Sequence, residues 1–416
     1  MSICAVGRFA ASVAALLPLA APAAYGLTQA DIDRIAPKAT RGLERVTSSL
    51  ASDHMRGRDN DTPESAAVQR YLVPRLRRAG AGLNAASSGD AAYVQPFTLS
   101  GQNGTNLLAV VRGRELPDQY VIVGAHYDHL DSRSDATGHC SASGPTGGAI
   151  CRGATDNATG VAAVLAIGRA LHALPELPRR SVVLALWDAE EDGLLGSHYY
   201  VDHPLVPLAQ TVAYVNFDIL GADLLPSVRT TSFAVGSETG GSALRGIVDA
   251  AVAAQSLHVR PFSYIFGQLR SDYANFVNAG VPTVFFSDST GGCYHTTGDD
   301  IRLVNFPKLA QQTAIAFRTV VGLAETTTPP VFTPPNPNLA VFEDAVSLQQ
   351  ALAPAVAADL GRFSAADQAT ALSYQAQVDQ IVADGPAQFD ASDVGTILAA
   401  ALNLIDLLTR NGCHPF

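Results

Sequence analysis

Short apolar runs alternate with helical stretches along this chain, and the alternation limits its possible folds more than any other feature. The strands are predicted at residues 106–111, 120–125, 181–187, 211–217 and 282–286. The helices between them are predicted at residues 158–174, 194–203, 241–256 and 272–279. Strands that are apolar on both faces are typical of a parallel sheet with helices on each side. The sequence therefore predicts an α/β fold, a three-layer sandwich with a mixed, largely parallel central sheet.

The composition divides the chain into four predicted segments. They are a signal peptide at 1–25, the α/β domain at 26–325, a proline-rich linker at 326–338 and a small helical C-terminal extension at 339–416. Proline cannot continue a helix or a central strand, so the linker separates two folded parts. Within the domain, residues 27–83 also have a helical pattern, with a start at Thr62-Pro63 and a stop at Gly80.

The N-terminus has the pattern of a secretory signal peptide. Arg8 precedes an apolar stretch that runs to about Ala21, and Ala21-Pro22-Ala23 supplies small residues for cleavage. The alternative is an N-terminal membrane anchor, but the stretch is short for a helix that spans a bilayer. We therefore expect a secreted or periplasmic protein.

The charge of the chain argues against some partners. The formal net charge is −11 at pH 7, which disfavours nucleic acid and anionic membrane surfaces because like charges repel. No later run of about 20 apolar residues lacks charge, so we expect no stable membrane insertion after signal cleavage. The protein is expected to be a monomer.

The cysteines favour disulfides over a metal site. Cys4 leaves with the signal peptide, and Cys140, Cys151, Cys293 and Cys413 remain. An even number in an exported chain is typical of disulfides. The preferred pairs are Cys140 with Cys151, which closes a short loop, and Cys293 with Cys413, which ties down the tail. A thiolate zinc site is the alternative, but the four are scattered and form no C-x-x-C.

Acidic and imidazole side chains follow several predicted strands at the point where each strand ends. Glu190 and Glu191 follow the apolar run 182–187, and adjacent carboxylates repel unless a cation or a shared proton lies nearby. Ligands of open α/β sheets bind outside the carboxyl ends of the strands. The other residues in such positions are His126, Asp128, Asp156, Asp218 and, in a loop after the last strand, His295.

Taken singly, these residues are weak signals. A lone His is more often a surface or core residue, an Asp at a helix start is more often an N-cap, and a Glu pair is more often a solvated turn. Together at one sheet edge, they would be costly to desolvate without a cation. Imidazole and carboxylate ligands suit zinc, and open coordination positions suit a catalytic site.

The same residues stand in motifs that resemble the co-catalytic di-zinc aminopeptidases of the bacterial leucyl aminopeptidase type. Glutamate carboxypeptidases and glutaminyl cyclases belong to the same group. The resemblance runs from about Leu50 to Val304. The motifs are Met55-Arg56-Gly57-Arg58, Thr105-Asn106-Leu107, Gly124 to His129, Gly153 to Gly160, Ala189 to Ser197, Asn216-Phe217-Asp218, Arg270-Ser271-Asp272 and His295-Thr296-Thr297. The resemblance makes residues 26–325 a di-zinc peptidase domain.

The resemblance implies two Zn²⁺ per chain and five ligands. His126 and Asp218 would bind one zinc, and Glu191 and His295 would bind the other. Asp156 would bridge both. The ligand types agree with those that zinc takes in catalytic sites.

Two further carboxylates would act beside the ligands. Asp128 would orient the ring of His126, since a ligating His usually donates its second N–H to a carboxylate. Glu190 would be the general base for a metal-bridging hydroxide and would pass the proton to the leaving amine. The resemblance also suggests a cis peptide bond between Asp156 and Asn157. The implied function is an exported zinc-dependent aminopeptidase, a metallo-exopeptidase that acts on the N-termini of peptides or proteins.

Three alternatives share this scaffold. They are a carboxypeptidase, a glutaminyl-cyclase-like acyltransferase with one zinc, and a non-enzymatic receptor-like relative. The segment from Ala189 to Ser197 looks like the peptidase branch. Receptor-like members typically lack ligands, whereas every expected position is filled here.

The chain departs from the family pattern at several places. Tyr273 stands where many relatives have His, so contacts with the substrate are in doubt there. An insert from His129 to Gly153 either narrows the pocket or is a surface loop. His129 and Asp299 either support the ligands or are turn residues. If Cys293 pairs with Cys413, the tail lies beside the pocket and either caps it or protects the terminus, and we prefer the second.

Overall fold

A computed structural model describes residues 27–130, 140, 150–335 and 339–413. The predicted signal peptide and most of the insert after His129 lie outside the described residues. The strands within them are β1 Ala81–Gly82, β2 Val94–Leu99, β3 Gln102–Val111, β4 Leu116–His126, β5 Arg180–Trp187, β6 Thr211–Phe217, β7 Thr231–Val235, β8 His258–Phe262 and β9 Thr283–Ser287. The helices are α1 Gln29–Ile35, α2 Thr40–Leu50, α3 Pro63–Arg77, α4 Thr159–Ala173, α5 Leu195–Asp202, α6 Gly241–Ala253, α7 Tyr273–Asn278, α8 Phe306–Glu325, α9 Phe342–Asp359, α10 Ala365–Asp384 and α11 Ala391–Arg410.

The strands form one mixed sheet in the order β1-β3-β5-β4-β6-β9-β7-β8, with β2 paired to β3. The four central strands β5, β4, β6 and β9 are parallel. Strands β3 and β7 join this core antiparallel, on opposite sides. Because the carboxyl ends of parallel neighbours meet at one edge, residues that follow β4, β5 and β6 come together there.

Helices cover both faces of the sheet. Along β4, Val121 and Val123 point to one face and Ile122 to the other, as the alternation of side chains along a strand requires. The first face packs against α2, α3, α4, α6 and α8. The second face packs against α5, α7 and the C-terminal helices α9, α10 and α11. The predicted three-layer α/β fold with C-terminal helices is confirmed.

The C-terminal helices are fixed to the sheet by polar and covalent links. In α9, Asp344 accepts hydrogen bonds from the backbone N–H and the hydroxyl of Ser263, both at 2.7 Å. A disulfide joins Cys413, beyond α11, to Cys293 in the loop after β9, with the Cα atoms 4.3 Å apart. The other predicted disulfide, Cys140 to Cys151, is also present. Both preferred cysteine pairs are therefore confirmed.

Among the described helices, α11 has the length and the apolar composition of a membrane span. Its residues Val394, Ile397 and Ala400 are buried in the core shared with the sheet, and Leu407 is buried among other C-terminal residues. A core helix passes the same test of composition. The absence of membrane insertion stays a prediction.

Candidate metal centre

The predicted ligands lie together at the carboxyl edge of the sheet. His126 is the last residue of β4, and Asp218 directly follows β6. Glu191 lies in the turn between β5 and α5, Asp156 in the irregular turn before α4, and His295 in the loop after β9. Four of the five side chains are less than 10% exposed, and that of His295 is 26% exposed. The topology thus gathers residues that are up to 169 positions apart (126 to 295).

The first group consists of His126, Asp156 and Asp218. Nε2 of His126 lies 3.2 Å from Oδ1 of Asp156 and 3.4 Å from Oδ1 of Asp218. The possible ligand atoms of the three residues all lie within 4.8 Å of one another. One imidazole and two carboxylates are a donor set that suits a zinc ion.

The second group consists of His295, Glu191 and the other oxygen of Asp156. Nε2 of His295 lies 3.1 Å from Oε2 of Glu191 and 3.3 Å from Oδ2 of Asp156. Asp156 therefore presents Oδ1 to one imidazole and Oδ2 to the other. This is the position that a carboxylate needs to bridge two cations.

The charges of the centre call for cations. Asp128, Asp156, Glu190, Glu191 and Asp218 are all largely buried, and none of them forms an ion pair with a Lys or Arg of the described chain. Burying so many carboxylates costs desolvation free energy unless positive charges lie close to them. Burial raises the pKa of Glu190 well above its ordinary value, and the neighbouring carboxylates add to the effect. Burial lowers the pKa of His126, but the Glu190 and Asp218 carboxylates outweigh it and raise the pKa well above its ordinary value.

The geometry around His295 also fits a metal. Its Nε2 atom is buried and close to two carboxylates, yet no hydrogen bond is formed to it within the described residues. The nitrogen of His295 and the two carboxylate oxygens are close to one another but are not aligned for hydrogen bonds. Ligands that surround a common metal ion have this arrangement. Burial lowers the pKa of His295, but the Asp156 and Glu191 carboxylates outweigh it and raise the pKa to about 10.

Asp128 connects the ligands of the two groups. Its Oδ1 lies 3.5 Å from Nδ1 of His126, and its backbone oxygen lies 3.2 Å from the same nitrogen. Its Oδ2 accepts a hydrogen bond from the backbone N–H of Glu191 at 3.2 Å. The carboxylate and the carbonyl of Asp128 thus face the side of the His126 ring opposite to Nε2.

Glu190 and Glu191 point in different directions, and for this reason two adjacent carboxylates can lie at the same edge of the sheet. Oε2 of Glu190 lies 4.0 Å from Nε2 of His126, whereas Glu191 faces His295. The preceding residue, Ala189, has a φ of 54°, and so does His295. Positive φ at residues other than glycine costs about 1–3 kcal/mol and is concentrated at functional sites.

Two residues hold the turn that carries Asp156. Asp299 accepts hydrogen bonds from the N–H of Thr155 at 2.9 Å and from the N–H of Asp156 at 3.1 Å. From the other side, the guanidinium of Arg58 donates to the carbonyl oxygens of Gly153 at 2.7 Å and Asp156 at 3.3 Å. The peptide bond after Asp156 is cis, as the resemblance suggests. Asp299 is thus more than a turn residue.

His129 is a residue whose role the sequence left open. It is fully buried, and its Nδ1 lies 2.8 Å from Oε1 of Glu191 and 3.9 Å from Oδ2 of Asp156. It therefore fixes the oxygen of Glu191 that faces away from His295. In the sequence, only its place three residues after His126 indicated that His129 could belong to the site.

Two more carboxylates near the centre were given no role from the sequence, although one of them, Asp272, stands in the motif Arg270-Ser271-Asp272. Asp188 and Asp272 are fully buried. Burial, followed by the charge of Asp128, raises the pKa of Asp188 to about 8. Burial raises the pKa of Asp272 to about 7, although the charge of His126 opposes the shift. Tyr273, the departure from the family pattern, is a core residue, since it stacks on Phe285 at 4.8 Å and its hydroxyl accepts a hydrogen bond from Leu269 N–H.

Comparison with known proteins identifies the family. The family model described as peptidase family M28 matches residues 106–320. The chain belongs to peptidase family M28. The predicted family is thus confirmed, and so is the prediction of a hydrolase of the metallo-aminopeptidase class. Membership also supports zinc as the metal.

Curated relatives come from several branches of the M28 family. The chain is 27% identical to a leupeptin-inactivating enzyme of Streptomyces exfoliatus over 78% of this chain and 70% of that protein. It is 31% identical to a probable glutamate carboxypeptidase of Arabidopsis thaliana over 52% of this chain, and to an aminopeptidase of Pseudomonas aeruginosa over 42%. These two alignments span 31% and 29% of the relatives' own lengths.

Solved structures show the same fold. The chain has a TM-score of 0.52 with the zinc aminopeptidase BSAP of Bacillus subtilis, at 15% identity over 72% of this chain and 100% of that chain. It has a TM-score of 0.54 with the glutaminyl cyclase of Porphyromonas gingivalis, at 19% identity over 68% and 98%. Because both branches share the fold, the fold alone does not separate their activities.

Proposed function

We propose that this M28 member is an exported aminopeptidase that uses two zinc ions to remove N-terminal residues from peptides. The observation that carries the proposal is the carboxylate of Asp156 between two imidazole groups, with Glu190 beside them. Two disulfides agree with an oxidising compartment, either the periplasm or the cell exterior. The similarity to an aminopeptidase of Pseudomonas aeruginosa and to a leupeptin-inactivating enzyme of Streptomyces exfoliatus supports the activity.

The ligands would divide between two ions. His126 and Asp218 would hold one zinc, Glu191 and His295 the other, and Asp156 both. When bound, zinc ions polarise the substrate carbonyl and lower the pKa of water towards about 7. The remaining steps depend on the side chains of the chain itself.

Glu190 is assigned as the proton carrier. Its side chain is buried, and its Oε2 lies 4.0 Å from Nε2 of His126, farther than the 3.1–3.4 Å contacts that join the five ligands. It takes the proton of the attacking water and delivers it to the amine that leaves. Burial raises the pKa of the Glu190 carboxyl group above the ordinary carboxylate range, which favours proton transfer by this side chain. Asp128 keeps the His126 ring oriented through Nδ1.

The test uses substrates that separate exopeptidase classes. The wild type should release p-nitroaniline from aminoacyl anilides with a free α-amine, should not act on N-acetylated anilides, and should lose activity with a chelator. Glu190→Gln should lose about 10²–10⁴-fold in kcat with unchanged zinc content. Glu343→Gln, at an exposed position, is the matched control and should behave as the wild type.

Other outcomes would replace the proposal. Release of C-terminal residues from N-blocked peptides would make the protein a carboxypeptidase. Cyclisation of N-terminal glutamine with no anilide hydrolysis would make it a glutaminyl cyclase. Full activity of Glu190→Gln would remove Glu190 from the reaction.

A further inference from the structure

The Asp218 loop, residues 219–223, directly follows the predicted zinc ligand Asp218. It starts with a φ of 56° at Ile219, a conformation that is costly at a residue other than glycine and persists where neighbouring groups hold it. Asp288, the residue after β9, makes two hydrogen bonds to the loop. Its N–H donates to the carbonyl oxygen of Ile219 at 2.8 Å, and its Oδ2 accepts from the N–H of Ala222 at 2.9 Å. The loop is therefore fixed to the end of a central strand.

Two side chains of α8 hold the same loop. Nζ of Lys308 donates to the carbonyl oxygen of Ala222 at 2.6 Å, and Oε1 of Gln312 accepts from the N–H of Gly221 at 2.9 Å. Both side chains also contact Oδ1 of Asp288. Nζ of Lys308 lies 3.1 Å from this oxygen, and Nε2 of Gln312 donates to it at 2.8 Å. Asp288, Lys308 and Gln312 thus form one polar network around the loop.

The network is buried and contains a charged pair. Lys308 is only 2% exposed, and Asp288 and Gln312 are buried with it. A lysine is almost never fully buried unless it is paired. The second carboxylate at the ammonium group is that of Asp223, whose Oδ1 lies 3.8 Å from Nζ and whose Oδ2 accepts a hydrogen bond from Arg229 at 2.8 Å. The buried ammonium group thus lies among two carboxylates and one carbonyl oxygen.

The place of this lysine argues for a role beyond packing. The chain has two lysines, Lys38 and Lys308, and the second lies in the core beside a predicted metal ligand. A buried ion pair often contributes no more to stability than well-packed apolar residues of the same volume. The pair does fix the backbone that follows Asp218, and metal ligands depend on such outer contacts for their orientation.

We propose that Lys308 is a positioning residue for the zinc ion that His126 and Asp218 would hold. Its ammonium group compensates the charge of Asp288 and fixes the carbonyl of Ala222, so that the Asp218 loop keeps the Asp218 carboxylate directed at His126. Within the described residues, the polar contacts of Glu191 and His295 do not include the Asp218 loop. The second zinc should therefore not depend on Lys308. This inference rests on the proposed two-zinc centre.

The test measures zinc affinity at one site at a time, by competition between the metal-free protein and a chromophoric chelator. Glu191→Ala keeps the first group of ligands intact, and Asp218→Ala keeps the second. Added to Glu191→Ala, Lys308→Met should weaken zinc binding about 10- to 100-fold, as the loss of an outer contact of a metal ligand does. Added to Asp218→Ala, it should leave the affinity unchanged. Lys38→Met, at an exposed position, is the matched control and should change neither affinity.

A second variant keeps the test valid if Lys308→Met does not fold, since that substitution leaves buried carboxylates without their cation. Gln312→Met removes the bond to the N–H of Gly221 and leaves no charge unpaired. It should weaken zinc binding in Glu191→Ala and leave it unchanged in Asp218→Ala. A cooperative thermal transition checks that each variant is folded.

The two proposals can fail separately. If the wild type binds two zinc ions and the Lys308→Met substitution weakens both single sites equally, or neither, the positioning role of Lys308 is overturned while the two-zinc centre stands. The same pattern in Gln312→Met would overturn it when Lys308→Met is unfolded. A wild type that binds fewer than two zinc ions would overturn the proposed function and, with it, the site that Lys308 would support.

Discussion

Arg58 is expected to be the most important single residue for keeping the Asp156 turn in place. It is completely buried, and burial lowers its pKa to about 10, so it is still charged at neutral pH. Besides the two bonds to Gly153 and Asp156, its guanidinium donates to the carbonyl oxygens of Leu50, Tyr127 and Arg152 at 3.2, 2.8 and 2.6 Å. One side chain thus connects the end of α2, the residue after β4 and the turn that carries Asp156.

The loss expected for Arg58→Met follows from these bonds. A hydrogen bond from a charged donor contributes about 1.5–3 kcal/mol, so five would give roughly 7–15 kcal/mol. Burying the guanidinium costs several kcal/mol, and the bonds are not additive. We expect a net loss of about 3–5 kcal/mol. With an unfolding entropy of roughly 0.8 kcal/mol/K for the about 370 described residues, the Tm should fall by about 4–6 °C.

The assay is thermal unfolding at saturating zinc, followed by circular dichroism. Arg58→Lys should recover little of the loss, because an ammonium lacks the planar fork of five donors. Arg78→Met, at an exposed position, is the control and should change the Tm by less than about 1 °C. A Tm for Arg58→Met equal to that of the control would refute the reasoning.

Two other predictions concern the supports of the centre. Asp299→Asn should weaken the bonds to the Thr155 and Asp156 N–H groups, lower stability by about 1–3 kcal/mol and reduce zinc affinity, as measured by thermal unfolding and metal titration; unchanged zinc affinity would show that Asp299 does not position Asp156. Cys413→Ser opens a bridge between residues 120 positions apart and should cost about 2–4 kcal/mol in thermal unfolding. An unchanged Tm would mean that Cys293 and the tail are held by packing alone.

The predictable part of the fold is the part that is buried on both faces. β5 and β6 are continuous apolar runs and were recognised, because such runs have few alternatives in an α/β chain. β8 was missed, since it is an edge strand that contains Arg260 and Pro261 and shows little apolar pattern. The half-exposed edge strand β2, which contains Pro96, was missed for the same reason, whereas β7 is buried but only five residues long.

The site was predictable where strand ends carry unusual side chains. His126 and Asp218 follow apolar runs directly, so their approach at one edge follows from the topology. His129 and Asp272 carry no such signal, because burial of a polar residue in a loop depends on tertiary packing. The apolar cavity under the extension was also unpredictable, since Phe233 and Leu404 line it together only after the extension has packed on the sheet.

The most direct test of the metal centre is the zinc content of the pure protein by mass spectrometry. After dialysis against buffer without metal, the wild type should hold two zinc ions per chain. Glu191→Ala and His295→Ala should each hold about one, because one group of ligands is lost while His126, Asp156 and Asp218 remain. A wild type with no tightly bound metal, or variants that still hold two ions, would contradict the central claim that these side chains form a two-metal site.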